Sequence, residues 1–271
     1  MKIAVAGGDL RMHTVARMFS DSGTECVKIG LGETNLALTN AFKDAVAVIL
    51  PLPCCKGGYL NTPMSNVLIN IGDVFSAGGE KTIFLGGKMP ITDERHIDYS
   101  LREEFLIKNA VPTAEGAIEI ALQELNTTLN GANTVVVGYG RIGKYLAEIL
   151  KGLNCNVSVI ARKESARANA EISGNKAFNF GVTDVYKNAD IVFNTVPFTV
   201  IGDIELTAMR PDTTVIDLAS LPGGVDEESA KANNVKVIRA LALPGKTAPE
   251  TAGRVIFETV VTILREKGVC L

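Results

Sequence analysis

The chain has 271 residues, 46% of them apolar and 21% charged, with a formal net charge of −3 and a sequence pI near 5.6. That apolar share excludes wholesale disorder, and at ~150 residues per domain the length fits one large domain or two modest ones. The mildly acidic balance gives no electrostatic reason to expect a nucleic acid or a polybasic membrane contact.

Taken in chain order, short apolar runs alternate with longer helical patterns. A strand is expected at 2–6, and Gly7-Gly8-Asp9 then ends the apolar run too early for a secretory signal. Further strands are expected at 24–29, 45–50, 67–71 and 81–85. Pro112-Thr113 is expected to open a helix with Thr113 as N-cap and Glu115 in its first turn. Ala117, Ile118, Ala121, Leu122 and Leu125 recur at helical spacing, and Asn130-Gly131 stops the pattern. A second series of strands follows at 134–137, 156–160, 191–195, 214–218 and 236–238. A last helix is expected at 249–267, with Pro249 near its start and Gly268 after it.

Most of these strands are continuous Val, Ile, Ala and Leu runs, the pattern of strands buried on both faces of a parallel sheet. The expected fold class is therefore α/β, with two doubly wound parallel-sheet domains. The first is expected at 1–110, a bridging helix at 111–130, and the second at 131–245. The last helix is expected to cross back onto the first domain.

Cysteines stand at 26, 54, 55, 155 and 270, with no C-x-x-C. The pattern reads as reduced thiols of a cytoplasmic protein. Two histidines, His13 and His96, leave little room for a metal site, and none is expected. Cys54-Cys55 reads as an incidental pair and His96, beside Asp93-Glu94-Arg95, as a solvated surface residue. No apolar run reaches the ~18 residues of a membrane span.

Gly138-Tyr139-Gly140-Arg141-Ile142-Gly143 fits G-x-G-x-x-G between a Val-rich strand and a helix, the setting of a dinucleotide fold. Gly138 suits the tight turn, Gly140 close approach of a pyrophosphate, and Gly143 tight helix–strand packing. A Gly-rich turn without ligand is the plain alternative. An NAD site carries an acid at the end of the next strand for the ribose 2′-hydroxyl. Here that place reads Ala161-Arg162-Lys163, two cations suited to a 2′-phosphate, so NADP is expected with NAD possible. A solvated basic loop is the alternative. Thr195-Val196-Pro197 and Asp217 with Ser220 end later strands and are expected to face the cofactor, with plain turn chemistry as the alternative for either. Pro244 and Gly245 are expected beside it in the loop before the last helix. In the first domain, Gly7-Gly8 and Gly86-Gly87 are expected to allow close approach of a ligand.

Several stretches together resemble the dehydrogenase subunit of dipicolinate synthase from spore-forming bacteria, over nearly the whole chain. They are Gly7-Gly8-Asp9 with Arg11, Pro112-Thr113-Ala114-Glu115-Gly116-Ala117, the Gly138–Gly143 turn, and Leu243-Pro244-Gly245-Lys246-Thr247-Ala248-Pro249. The resemblance implies a Rossmann domain beside a smaller flavodoxin-like one, linked by crossing helices, as in D-2-hydroxyacid dehydrogenases. It implies formation of dipicolinate (pyridine-2,6-dicarboxylate) from a lysine-pathway intermediate during sporulation, with the flavoprotein-like second subunit of dipicolinate synthase for a partner. This chain has no His after His96, so the His-dependent alcohol oxidation of the hydroxyacid enzymes is not expected.

A dicarboxylate needs cations. Arg11, Lys88 and Lys246 are the candidates, in a crevice expected between the domains, with Arg11 on the outer face of the first helix, pairing with Asp9 or solvent, as the plain alternative. Asp9, His13, Glu115 or water is left open as the proton acceptor. Another two-domain nicotinamide dehydrogenase and a non-catalytic nucleotide-binding subunit remain as alternative readings. Homo-oligomerisation is possible.

Overall fold

The computed structural model describes residues 1–32 and 37–269. Cys270 lies outside them. Two compact units are formed. The first takes the chain up to Asn109 and again from Ala248 on, and the second runs from Ala110 to Thr247.

The chain begins β1 (Lys2–Ala6), α1 (Leu10–Asp21), β2 (Glu25–Ile29), α2 (Leu38–Phe42), β3 (Ala45–Ile49). A small antiparallel hairpin follows, β4 (Cys55–Lys56) and β5 (Tyr59–Leu60), then α3 (Ile71–Ser76), β6 (Ile83–Gly86) and β7 (His96–Asp98). The long α4 (Glu103–Glu124) leads to β8 (Asn133–Val137), α5 (Arg141–Gly152), β9 (Asn156–Ile160), α6 (Glu164–Ile172) and β10 (Lys176–Phe178). The chain finishes with β11 (Ile191–Asn194), α7 (Asp203–Thr207), β12 (Thr214–Asp217), α8 (Glu227–Ala232), β13 (Lys236–Arg239), α9 (Leu243–Thr247) and α10 (Pro249–Glu266).

The first unit has a parallel sheet of order β2-β1-β3-β6-β7, the flavodoxin order once the hairpin is set aside. The second is parallel throughout with order β10-β9-β8-β11-β12-β13, the Rossmann order. The α/β class read from the apolar runs is the class observed. In the first unit, α10 packs along α1. A Cβ on Gly253 would sit 2.5 Å from the Arg11 carbonyl oxygen, so only glycine admits this approach. Phe19 and Phe257 meet edge to face at 4.8 Å beside it.

Three local expectations are corrected. The helix expected to open at Pro112 opens at Glu103, and Pro112 and Thr113 lie in its interior. A proline there deprives the carbonyl of Lys108 of its backbone donor, at a cost of ~3 kcal/mol. The helix continues because residues on both sides are anchored. Phe105 is buried in the first unit's core, and Ala114, Ala117 and Ala121 in the second's. Residues 67–71 form no strand. Asn70 instead caps α3, its side-chain oxygen accepting from the Gly72 N–H at 2.8 Å.

His96 is the third. It is 5% exposed and starts β7, which pairs with β6. Its ring lies 4.1 Å from that of Phe75 and 5.3 Å from that of Phe84. The charged neighbours Asp93, Glu94 and Arg95 disguise an edge strand that buries this one ring. Desolvation holds the His96 pKa below its ordinary 6.5, and Asp93 opposes the shift. A depressed histidine pKa makes the folded state lose stability as pH falls below the unfolded value. Denaturation midpoints are therefore expected to drop as pH falls from ~6.5, and His96→Gln is expected to flatten that slope in urea melts.

Candidate functional site

In the second unit the strand order reverses between β8 and β11, the place where open parallel sheets bind ligands at their carboxyl ends. The turn Gly138-Tyr139-Gly140 lies there and leads into α5. Its three glycines have different reasons. Gly138 has φ +95°, and a Cβ on it would lie 2.3 Å from Thr195 Oγ1. A Cβ on Gly143 would lie 2.1 Å from the Gly138 carbonyl oxygen, so α5 packs directly on the turn. Gly140 has φ −85°, open to any residue, and nothing stands within 4 Å of where its Cβ would be. The protein's own packing requires Gly138 and Gly143. It does not require Gly140, whose missing side chain leaves open space at a helix N-terminus. That fits a pyrophosphate approached by backbone N–H groups.

A groove of about 510 Å³ opens over this turn. Gly138, Tyr139 and Gly140 line one part, Ala161, Arg162 and Lys163 a second, and Thr195, Val196, Pro197 and Phe198 a third. Tyr139 itself turns inward, 8% exposed, with Lys144 Nζ 5.9 Å from its ring centre. Arg141 is exposed and Ile142 half-buried on the first turn of α5. Phe180 and Phe198 also line the groove, and Phe198 is 73% exposed. Neither is foreseen from the sequence. The signal for Phe198 is its place directly after Pro197 at a strand end.

Arg162 and Lys163 are exposed at the end of β9 and make no ion pair among the described residues. Arg167, also unforeseen, reaches back from α6. Its Nη1 donates to the carbonyl oxygens of Ala161 at 2.9 Å and Arg162 at 2.8 Å. The loop bearing the two free cations is thereby tied to its own helix.

The opposite wall is held by internal hydrogen bonds. Thr195 Oγ1 donates to the Val137 carbonyl at 3.0 Å, joining the ends of β11 and β8. Asn194 holds Val196 on both sides. Its Oδ1 accepts the Val196 N–H at 3.1 Å and its Nδ2 donates to the Val196 carbonyl at 3.0 Å. Asn194 Nδ2 also donates to Asp217 Oδ1 at 2.7 Å.

That contact corrects the expectation that Asp217 faces the cofactor. Asp217 is 1% exposed, and both carboxylate oxygens are engaged inside the protein. Oδ1 accepts the Ala219 N–H at 3.2 Å as well, and Oδ2 accepts the Gly224 N–H at 3.0 Å, with Arg239 Nη1 3.6 Å away. A buried carboxylate must be satisfied in this way, so its position at a strand end does not make it a ligand group. Ser220, Pro244 and Gly245 do not line the groove either. The Ser220 carbonyl closes a turn by accepting the Gly223 N–H at 2.9 Å. Pro244 and Gly245 are wound into α9 rather than a loop.

The first unit reverses its strand order between β1 and β3. Gly7 and Gly8 are taken up by their own chain, not left open for a ligand. The Gly8 N–H donates to the Asn61 carbonyl at 2.7 Å, and a Cβ on Gly8 would meet Met12 Cγ at 2.3 Å. A Cβ on Gly87 would likewise meet Leu52 Cδ1 at 2.5 Å. The Arg11 fork, expected to grip a substrate carboxylate, is closed on Asp9. Nε donates to Oδ1 and Nη2 to Oδ2, both at 2.8 Å, and Nη2 also donates to the Leu52 carbonyl. The Arg11 side chain is 8% exposed. Asp9 is at once the N-cap of α1, accepting from the Arg11 N–H at 3.1 Å.

His13 is half-buried on α1, and its buried Nε2 has no partner among the described residues. Lys88 is exposed beyond β6, while Glu115 on α4 and Lys246 on α9 are exposed in the second unit. Burial raises the Cys54 thiol pKa well above its ordinary value, with Cys55 adding to the shift, so Cys54 supplies no thiolate nucleophile. Among the described residues no helix is long and apolar enough to cross a membrane. Nor, among the described residues, is any group of three or more His, Cys, Asp or Glu placed to hold a metal.

Comparison with known proteins agrees with this arrangement. Residues 110–241 match the family model for the NAD binding domain of D-isomer specific 2-hydroxyacid dehydrogenases. Residues 2–96 match the N-terminal domain of the dipicolinate synthase A subunit. The chain is 29% identical to the dipicolinate synthase A subunit of Bacillus subtilis (strain 168), over 98% of this chain and 96% of that protein. The crystal structure of the corresponding dipicolinate synthase subunit from Bacillus halodurans superposes with a TM-score of 0.88 at 27% identity, covering 97% of each chain. A transhydrogenase from Sinorhizobium meliloti shares the fold with a TM-score of 0.73 at 15% identity, over 99% of this chain and 95% of that one. A nicotinamide-binding dehydrogenase domain is thus present, and the likeness read from the sequence motifs is borne out along the chain.

Proposed function

We propose, from the premise that this chain belongs to the family of the dipicolinate synthase dehydrogenase subunit, that it is an NADP-linked oxidoreductase forming pyridine-2,6-dicarboxylate. The substrate would be a dihydrodipicolinate-type intermediate of the lysine pathway. The flavoprotein-like second subunit of the synthase would be its partner, in the cytoplasm of the mother cell during sporulation. The bound nicotinamide would supply a hydride acceptor, and the aromatic product ring supplies the thermodynamic drive.

The protein's own task is then to bind, orient and exclude water. Gly140 and the N-terminus of α5 receive the pyrophosphate. Thr195, Val196 and Pro197, fixed by Asn194, form a wall that would hold the nicotinamide riboside. Phe198 and Phe180 give the groove apolar surface for a planar group. The substrate's two carboxylates require cations in a partly desolvated place, because an unpaired buried carboxylate is costly. With Arg11 committed to Asp9, those cations are sought among the exposed lysines at strand ends. With Asp9 held by Arg11, the proton acceptor is proposed to be His13, Glu115 or water.

The observation that carries the choice of NADP is the pair Arg162 and Lys163, without carboxylate partners among the described residues, where a ribose-binding acid would stand. Arg162→Ala is expected to weaken NADP binding by ~1.5–3 kcal/mol, the range of a charge-assisted hydrogen bond, and to leave NAD almost unchanged. Fluorescence titration of both dinucleotides decides it. Equal losses for the two would remove the 2′-phosphate reading.

A further inference from the structure

Lys88 follows Gly86-Gly87 at the carboxyl end of β6, and its backbone is unusual. Its φ is +51°, in the left-handed region that glycine enters freely and other residues enter at a cost. Asp44, Asn154, Asn234 and Ala242 also have positive φ; Asn and Asp tolerate it through their short polar side chains, and Ala242 carries no group that could meet a ligand. Lys88 has no such help from its own side chain.

The surroundings hold this backbone in place. The Lys88 N–H donates to Ser100 Oγ at 3.2 Å, and Ser100 Oγ donates in turn to Asp98 Oδ1 at 2.6 Å. Asp98 Oδ1 also accepts the Ser100 N–H at 2.8 Å, and Oδ2 accepts the Met89 N–H at 3.3 Å. On the other side the Lys88 carbonyl lies 3.9 Å from Cys54 Sγ. Asp98 and Ser100 thus form a latch across the strand end. The lysine side chain beyond it is exposed, and among the described residues its ammonium has no ion-pair partner. A glycine would take this conformation without strain. What lysine adds over glycine here is a side chain ending in a cation, at the carboxyl end of a parallel strand, the side of an open α/β sheet on which ligands are bound.

We infer that Lys88 binds a carboxylate of the ligand in the first unit, held out by the Asp98–Ser100 latch. The ligand class is a small planar dicarboxylate, and in naming it the inference rests on the function proposed above. Lys88 takes the part expected of Arg11, whose fork is closed. Asp98 and Ser100 are positioning residues and touch only the backbone around it.

The test is calorimetric titration of the full chain with pyridine-2,6-dicarboxylate and, separately, with NADP. Lys88→Gly removes the cation and the strain together. Dicarboxylate affinity is expected to fall about 10- to 100-fold, the loss of one charge-assisted hydrogen bond. NADP affinity is expected to be unchanged, and Tm equal or higher. Ser100→Ala removes only the latch and is expected to weaken the dicarboxylate about threefold with NADP again unchanged. A purely structural latch would lower Tm and leave the dicarboxylate affinity alone. If the unaltered protein binds pyridine-2,6-dicarboxylate and Lys88→Gly binds it equally well, the inference is overturned while the proposed function stands. If the unaltered protein fails to bind it with and without NADP, both fall.

Discussion

Gly140→Val is expected to abolish dinucleotide binding while the protein stays folded. The backbone at Gly140, φ −85° and ψ −159°, accepts a β-branched residue without strain, and the space around its Cβ is empty to 4 Å. Valine would therefore fill room that the protein does not use for itself. Its methyl groups would stand where the α5 N-terminus meets the pyrophosphate. The expected loss is at least ~3 kcal/mol, roughly 100-fold in Kd, for NAD and NADP alike. Titration checks the loss, and circular dichroism with a thermal melt checks the fold. Gly143→Ala is the contrasting case. Its Cβ would press on the Gly138 carbonyl oxygen at 2.1 Å, so the melt itself should suffer. Unchanged affinity in Gly140→Val would mean that the phosphates bind elsewhere.

Asp217→Ala is expected to cost about 3–5 kcal/mol of stability, the range for breaking a buried charge from its partners. The carboxylate serves Asn194 Nδ2, the Ala219 and Gly224 N–H groups and Arg239, and its removal leaves the first three buried donors short of an acceptor. Arg239 is less affected, because it also pairs with Glu227 and donates to the Pro222 carbonyl. In a protein of this size the midpoint should fall by roughly 10 °C. Loosening Asn194 also releases its double hold on Val196, so dinucleotide affinity should drop for NAD and NADP together. That common loss separates Asp217 from Arg162, whose effect is expected on NADP alone. A melt like that of the unaltered protein would show that the network is not under load.

The continuous apolar strands, their alternation with helices and the G-x-G-x-x-G turn were enough to read two doubly wound parallel sheets, one of them of the dinucleotide-binding type. These signals are local: a strand buried on both faces has no polar side, and a turn against a phosphate has no side chain. Other features depended on contacts between residues far apart in the chain. Pro112 reads as a helix start, and only the anchoring of Phe105 on one side and Ala114 and Ala117 on the other keeps the helix running through it. His96 reads as solvated among its charged neighbours, and only the rings of Phe75 and Phe84 bury it. Charged side chains were hardest to place, because nothing in their spacing says whether a partner will be waiting. Arg11 and Asp217 stand at strand ends as ligand groups would, yet Asp9 closes the one and Asn194, Ala219 and Gly224 the other. A charge taken from water must be met, and whether a ligand or the protein itself meets it is decided by the residues that folding brings within hydrogen-bonding distance.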